Sequence, residues 1–349
     1  MRLDRLSAVL IGWLAVLAAW TLPATALEIE ERLVLEAQTP RSVLRILSTA
    51  DRAPFEPILK AFQAENPDVT IDYTIAGTSD VMKAVSEDGA VFDLVISSAM
   101  DLQTKLANDG FARTYRSAAT DSLPDWARWR DQLFAFTQEP VVLILSDAAF
   151  AGQVVPTTRD ELIELLRDEP ERFMGKVGTY DVRTSGFGYL MATQDSRVSE
   201  AIWRLLEVIG RLDARLYCCS GDMLRDIRSG KLAVAYNVLG SYAAAELRET
   251  GGFRIVHMKD FANVMLRTVL ILDRAENVAD AQRMVDFLAT LGRRPDVVAA
   301  SGLPPIDDAA LRGNVALRPI RLGPGLLVYL DRLKRRSFLR NWEASITQE

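Results

Sequence analysis

The sequence contains one histidine, His257, and two cysteines, the adjacent Cys218 and Cys219. This set excludes the ligand spacing of the usual zinc sites, and we expect neither a metal nor a cofactor. Free cysteine behaves as a small hydrophobic residue, so we expect a buried, reduced pair, with a vicinal disulfide as the alternative. Because His257 is isolated from other ligand types, it is expected to be a strand or core residue.

The motifs of the common enzyme classes are also missing. No Gly-x-Ser-x-Gly elbow is present, and no glycine-rich loop is followed by Lys and Ser or Thr. Gly186-Phe187-Gly188 lacks the remainder of a dinucleotide fingerprint. These absences favour a protein that binds a ligand without chemistry, although an enzyme with an unfamiliar site stays open.

Basic residues do not dominate the composition. The formal net charge is −6 and the pI is about 5.2, which argues against nucleic acid as a partner. An acidic protein can still hold an anion in a locally positive cleft. The chain of 349 residues exceeds what one core usually supports, so we expect two domains.

The long apolar run of the sequence lies near its start, at 6–22, and follows Arg2 and Arg5. The small-x-small site Ala24-Thr25-Ala26 comes next, so we interpret residues 1–26 as a cleaved signal peptide, with a retained membrane anchor as the alternative. The mature chain is then expected in the periplasm. It would begin with a mobile N-terminal segment, residues 27–42.

Apolar strands and amphipathic helices alternate from residue 43 onward. This order predicts an α/β fold with mainly parallel sheets flanked by helices. Pro140–Leu145 and a second segment between His257 and Leu272 are predicted to cross between two lobes. Lobe 1 is then 43–139 with 266–349, and lobe 2 is 140–265. A helical tail at 319–346 is expected to dock on the first lobe, with Lys334-Arg335-Arg336 on a solvated face.

Turns of small polar residues follow several predicted strands and precede helices. Hydroxyls and free N–H groups at helix N-termini favour anions, and ligands of parallel sheets bind at the carboxyl ends of the strands. The sequence therefore predicts a cleft for a small anionic ligand. The ligand-binding candidates in these turns are Thr49, Asp51, Thr78, Ser79, Ser97, Ser98, Thr184, Ser185, Gly186 and Phe187.

Four further residues complete the predicted site. Arg183 and Arg267 are candidates for a charge-assisted contact with the anion, and Asn237 and Tyr242 for contacts with ligand hydroxyls. Each also has an ordinary structural alternative. The arginines could form surface or hinge salt bridges, Asn237 could end a strand, and Tyr242 could be a core aromatic residue.

The order of several segments resembles the type 2 periplasmic solute-binding proteins, in the branch that includes ferric-iron, phosphonate, hexose-phosphate and phosphoglycerate-linked members. The resembling segments run from about residue 43 to 290: Ala61-Phe62-Gln63-Ala64-Glu65-Asn66-Pro67-Asp68-Val69, Phe92-Asp93-Leu94-Val95-Ile96-Ser97-Ser98, Thr184-Ser185-Gly186-Phe187-Gly188-Tyr189, Gly230-Lys231-Leu232-Ala233-Val234-Ala235-Tyr236-Asn237 and Leu266-Arg267-Thr268-Val269.

The resemblance implies two α/β lobes, closure on the ligand about a hinge, and delivery to the inner-membrane permease of an ABC transporter or to a sensor histidine kinase. The protein is expected to act as a monomer. Ferric-binding relatives present adjacent tyrosines, since phenolate oxygens suit Fe(III). Here Tyr236 and Tyr242 are six positions apart, so a phosphorylated or carboxylated organic anion is favoured over iron.

Overall fold

The computed structural model describes residues 27–347, so the predicted signal peptide lies outside the described residues. Twelve strands are present in this range: β1 (Glu31–Leu35), β2 (Ser42–Ser48), β3 (Val69–Ile75), β4 (Leu94–Ser97), β5 (Arg128–Trp129), β6 (Leu133–Ser146), β7 (Val177–Tyr180), β8 (Arg215–Tyr217), β9 (Val234–Leu239), β10 (Phe253–Val256), β11 (Ala262–Ile271) and β12 (Leu317–Pro319).

Fourteen α-helices flank these strands in the same range: α1 (Arg52–Glu65), α2 (Thr78–Ser86), α3 (Met100–Asn108), α4 (Ala118–Asp121), α5 (Arg159–Asp168), α6 (Pro170–Phe173), α7 (Gly186–Val198), α8 (Ala201–Arg211), α9 (Ser220–Arg228), α10 (Gly240–Thr250), α11 (Val278–Ala289), α12 (Pro295–Ser301), α13 (Asp308–Gly313) and α14 (Arg332–Ile346). Short 3-10 helices lie at Asp125–Ala127, Leu291–Arg293 and Pro324–Leu330. Within residues 27–347, none of the helices combines the length and the hydropathy that crossing a membrane requires.

The strands form two mixed sheets that meet in the middle of the molecule and share β6, whereas the sequence predicted mainly parallel sheets. In the first lobe β2 lies parallel to both β3 and β4, and β1 adds an antiparallel edge to β3. In the second lobe β7 lies parallel to both β8 and β9. The predicted α/β fold of two lobes is confirmed.

Two long strands connect the lobes. The first half of β6 pairs with β11, and its second half pairs with β9 and β10. β11 continues against β4, and the chain reaches it from β10 through a short connection. β6 contains the predicted crossing Pro140–Leu145, and β11 lies within the second predicted segment, 257–272. His257 lies exposed in that connection, so its expected strand or core position is wrong.

Local patterns predict many of the element positions because burial follows the period of each element. In α1 the apolar residues Phe55, Ile58, Leu59 and Phe62 are all buried on one face. β3 and β7 have the bounds that the sequence predicted. Most helices begin a few residues earlier than their apolar runs, since the polar turn before each run is itself part of the first helical turn.

The expectation that residues 27–42 are mobile is partly wrong, because this segment contains β1. Residues Glu31 to Leu35 pair antiparallel with Ile75 to Ile71 of β3. The Glu30 N–H also donates to the Ile75 carbonyl oxygen over 2.9 Å. This edge strand brings the residues just before it beside the end of β3.

The sequence analysis expected the C-terminal helix to dock on the first lobe. The structure shows that it docks on the second lobe instead. Phe338 and Trp342 of α14 are buried in the core of the second lobe together with Leu205 and Ile209 of α8. A Cβ at Gly210 would come within 2.4 Å of a backbone oxygen of α14, so the glycine allows the two helices to approach closely. The apolar face of the tail can be buried against the apolar surface of either lobe. The sequence of the tail therefore does not specify the lobe.

Candidate functional site

A cleft of about 300 Å³ lies between the lobes, at the carboxyl ends of the parallel strands. Ligands of parallel sheets bind at this edge, and the volume suits a small organic molecule. Its walls come from both lobes and from the segment before β1: Glu28, Glu30, Thr49, Asp51, Ala76, Gly77, Thr78, Ser79, Asp80, Ser98, Tyr180, Thr184, Ser185, Phe187, Cys218, Cys219, Ser220, Gly221, Leu239 and Tyr242.

The N-termini of six helices meet at this cleft, namely α1, α2, α3, α7, α9 and α10. In α7 the Ser185 hydroxyl accepts the Gly188 N–H over 3.1 Å and caps the helix. The cap residues of the other five helices form no side-chain cap with any described residue. In α3 the Met100 N–H already donates to the Ser98 carbonyl oxygen over 3.0 Å. The first N–H groups of α1, α2, α9 and α10 are available as donors for a ligand, and the helix dipoles favour an anion there.

Carboxylates supply the formal charge of the cleft wall. Glu28, Glu30, Asp51 and Asp80 line it, and the described lining residues include neither Lys nor Arg. Partial burial raises the pKa of Glu30, and the negative charges of Asp51 and Asp80 raise it further. This mutual repulsion would be relieved by a cation placed among the carboxylates.

Burial also raises the pKa of Asp51, although the positive charge of Arg267 and a hydrogen bond with Tyr242 oppose the effect. The backbone of Asp51 also contacts Tyr242, because the Asp51 N–H donates to the Tyr242 hydroxyl over 3.3 Å. Burial raises the pKa of Tyr242, so its phenol is neutral and can donate a hydrogen bond.

The structure brings nine of the predicted residues into the cleft wall: Thr49, Asp51, Thr78, Ser79, Ser98, Thr184, Ser185, Phe187 and Tyr242. Ser97 lies beneath this surface, where its hydroxyl accepts the Ala99 N–H over 3.1 Å. Gly186 lies where the lobes touch, and its N–H donates to Oγ1 of Thr78 over 2.9 Å.

The two predicted arginines lie outside the cleft wall. Arg183 donates from Nε and Nη2 to the Asp181 carboxylate, over 2.8 and 2.7 Å. Arg267 is buried and donates from Nε to Oε1 of Glu139 over 3.1 Å. Salt bridges, the structural alternative that the sequence left open, therefore occupy both guanidinium groups.

Asn237 and Tyr236 contact a buried carboxylate instead of the cleft. The Asn237 side-chain amide donates to Asp195 over 2.7 Å, and the Tyr236 hydroxyl donates to it over 2.9 Å. Burial raises the pKa of Tyr236 well above its usual value. The tyrosine pair of the ferric alternative is thus divided between the interior of the second lobe and the cleft wall.

Comparison with known proteins identifies the family. Residues 44–294 match the family described as bacterial extracellular solute-binding protein.

This chain belongs to that family.

A search among curated protein sequences finds no significant match. Among solved structures, the substrate-binding protein of an ABC transporter from Agrobacterium tumefaciens is similar, with 29% identity and a TM-score of 0.86, over 90% of this chain and 98% of that chain. This chain therefore has the architecture of the solute-binding proteins of ABC transporters.

Two more distant structures share the fold. AfuA from Actinobacillus pleuropneumoniae, with fructose-6-phosphate bound, has 15% identity and a TM-score of 0.70 over 88% of this chain and all of that chain. Iron-bound HitA from Pseudomonas aeruginosa has 17% identity and a TM-score of 0.67, over 87% and 99% of the two chains. At these identities the likeness concerns the fold alone.

The cysteines of this solute-binding protein contradict the sequence expectation. Cys218 and Cys219 are joined in a vicinal disulfide, and both are exposed in the cleft wall instead of buried. They directly precede α9, and Ser220 connects this turn to the neighbouring strands by accepting the Leu239 N–H and bonding to the Tyr180 hydroxyl. The pair therefore shapes the surface that a solute meets.

Two groups of wall residues were missed by sequence reasoning. Cys218-Cys219-Ser220-Gly221 is a further turn of small residues between a strand and a helix, so the pattern used for the other turns could have found it. No comparable signal marks Glu28 and Glu30, because they reach the cleft only through the pairing of β1 with β3.

A metal site is poorly supported by the donors at hand. Within residues 27–347, the three histidine, cysteine or acidic side chains close enough to share an ion are Cys218, Cys219 and Asp222. Their two sulfurs are already bonded to each other. Sulfur is also a soft donor, and Fe(III) prefers hard oxygen ligands.

Proposed function

We propose that this protein captures a small organic solute that carries both an anionic group and an amine, and delivers it in the periplasm to the permease of an ABC transporter. One observation carries the proposal: the same cleft of about 300 Å³ combines uncapped helix N-termini with four carboxylates. The family and the similar ABC transporter protein support the transport role.

The anionic end fits the N-terminal turns that surround the cleft. Thr78 and Ser79 begin α2, Ser220 begins α9, and Ser98 precedes α3. Backbone N–H groups and hydroxyls can bind a phosphate or carboxylate without a formal positive charge. This binding mode does not need the arginines that the sequence analysis expected.

The cationic end fits the carboxylates of the cleft wall. Glu30 and Asp80 approach each other beside Gly77, where a Cβ would lie 3.6 and 2.8 Å from their nearest carboxylate oxygens. Asp51 lies in the wall with them. An ammonium group would form charge-assisted hydrogen bonds here and reduce the repulsion between the carboxylates. A purely anionic solute would increase that repulsion.

Three matched sugars test the proposal: glucosamine 6-phosphate carries both groups, glucose 6-phosphate lacks the amine, and glucosamine lacks the phosphate. Mature protein, unfolded and refolded to remove bound solute, is titrated with each by calorimetry and by thermal shift. We expect glucosamine 6-phosphate to bind most tightly. A solute at a hundred times its Kd should stabilise the protein by about 2.7 kcal/mol.

The matched variants Asp51→Asn and Ser79→Ala separate the two ends of the solute. Asp51→Asn should weaken glucosamine 6-phosphate more than glucose 6-phosphate, because it removes a partner of the amine. Ser79→Ala should weaken both phosphates alike. If glucose 6-phosphate bound as tightly as its amine counterpart to the unmodified protein, the amine part of the proposal would be wrong. Binding of ferric citrate alone would contradict the proposal as a whole.

A further inference from the structure

One face of α14 carries a row of arginines. Arg332, Arg336 and Arg340 are four positions apart, so they lie above one another on the helix, and all three are exposed. Phe338 and Trp342 lie on the opposite face, in the core of the second lobe. We call this exposed face the arginine row; it consists of Arg332, Arg336 and Arg340.

In the part of the chain that the structure describes, the arginine row forms no salt bridge. Within residues 27–347, no carboxylate lies within salt-bridge distance of its three guanidinium groups. The same holds in this range for the neighbouring cations Lys334 and Arg335. Arg335 instead lies over the Tyr189 ring, 5.6 Å from its centroid, and its charge opposes the rise in the pKa of Asp101. Four cations, Arg332, Lys334, Arg336 and Arg340, are therefore gathered within nine positions without a salt bridge in the described range, on a chain whose net charge is −6.

This arrangement is unfavourable for the helix itself. Like charges four positions apart repel each other, and cations in the first turns oppose the helix dipole. Asp331, which caps the helix through the Leu333 and Lys334 N–H groups, is the one acidic residue at this end. Local stability thus provides no reason for the row, and an external anionic partner would.

Exposed apolar side chains accompany these cations. Leu333 is 71% exposed, and Val328 on the preceding 3-10 helix is 48% exposed. Basic side chains combined with exposed apolar ones are typical of segments that bind at a membrane surface, where lipid headgroups supply negative charge and the interface accepts apolar groups. The solvated face that the sequence analysis favoured does not account for this combination.

We propose that the arginine row binds anionic phospholipid headgroups and holds the protein at the membrane surface. Charge complementarity selects the lipid, since the row is an unneutralised basic surface on an otherwise acidic protein. The row belongs to a helix outside the cleft wall, so the cleft remains available to the solute. The proposal does not depend on which solute is bound.

Vesicle sedimentation tests this proposal with the mature protein. We expect binding to vesicles of phosphatidylglycerol mixed equally with phosphatidylcholine, no binding to pure phosphatidylcholine, and release by salt because the attraction is screened. The variant Arg332→Gln/Arg336→Gln/Arg340→Gln should lose at least about tenfold in vesicle affinity. Leu333→Ser should cause a smaller loss.

The control variant Lys60→Gln/Arg225→Gln/Arg312→Gln removes the same charge from exposed positions on α1, α9 and α13. It should keep the vesicle affinity, and circular dichroism would establish that both triple variants are folded. Equal losses in both variants, equal binding to neutral vesicles, or no binding to anionic vesicles would overturn the proposal. The last result would leave an acidic protein surface as the partner of the row.

Discussion

Arg267 and Glu139 form a buried ion pair beneath the cleft, with side chains that are 1% and 0% exposed. The second oxygen of Glu139 accepts from Nη2 of Arg267 over 3.3 Å, and Thr137 and Ser241 also donate to the carboxylate. Arg267 then lies 6.0 Å from the ring centroid of Tyr242 in the cleft wall. The pair therefore lies behind Tyr242 and outside the residues that line the cleft.

Glu139→Ala should be strongly destabilising, because Arg267 would keep its charge in a buried site without a partner. We expect the free energy of unfolding to fall by about 3 to 5 kcal/mol in urea denaturation at neutral pH. The surface pair Arg312–Asp308 provides the control, and Arg312→Ala, which removes a side chain that is 75% exposed, should cost no more than about 1 kcal/mol. Equal losses in the two variants would contradict this role of burial.

Asn237→Ala should reduce stability and leave solute binding unchanged. The substitution removes a buried hydrogen bond to Asp195, at a position whose φ of 64° also suits Asn better than Ala. We expect a loss of about 1 to 3 kcal/mol in urea denaturation. Calorimetry with glucosamine 6-phosphate should give an unchanged Kd. A tenfold higher Kd with unchanged stability would instead indicate that Asn237 contacts the solute.

Gly186→Ala should disturb the contact between the lobes. A Cβ there would lie 2.7 Å from Oγ1 of Thr78 and 3.1 Å from Cδ1 of Leu102. We expect a loss of about 1 to 3 kcal/mol from overpacking, and a larger radius of gyration in small-angle scattering as the lobes separate. Gly313→Ala, with no atom within 4 Å of the added Cβ, should change neither quantity.

Asp101 should make stability fall as pH rises. Burial raises its pKa to about 7, so the folded chain keeps a proton that the unfolded chain releases near pH 4. Between these values the folded state binds more protons, and stability should decrease by up to about 1.4 kcal/mol per pH unit. Asp101→Asn should flatten this part of the profile in urea denaturation from pH 4.5 to 7.5. An unchanged profile would show that Asp101 does not titrate in this range.

The vicinal disulfide should contribute little to global stability, because it closes no loop between its two residues. Alkylation followed by mass spectrometry should label Cys218 and Cys219 only after reduction with dithiothreitol. Reduction should leave the urea midpoint nearly unchanged. Labelling before reduction would instead support the reduced pair that the sequence analysis expected.

The sequence predicted the strand and helix order well because periodic burial is a local property. Thr49, Thr78 and Ser185 line the cleft, since each lies after a strand that ends there, and their role in binding stays a prediction. The docking of α14 on the second lobe was missed, because an apolar helix face fits any complementary core. The glycine that admits it, Gly210, lies far away in the sequence.

By itself, the sequence determined the two-lobed α/β architecture and the hydroxyl-rich helix N-termini of the cleft, since both follow from patterns within short windows. Only the tertiary structure decided the charge of that cleft. Arg183 and Arg267 are neutralised by Asp181 and Glu139, and β1 carries Glu30 to the wall. A charge acts through its neighbours in space, and its spacing along the chain does not say which neighbours those will be.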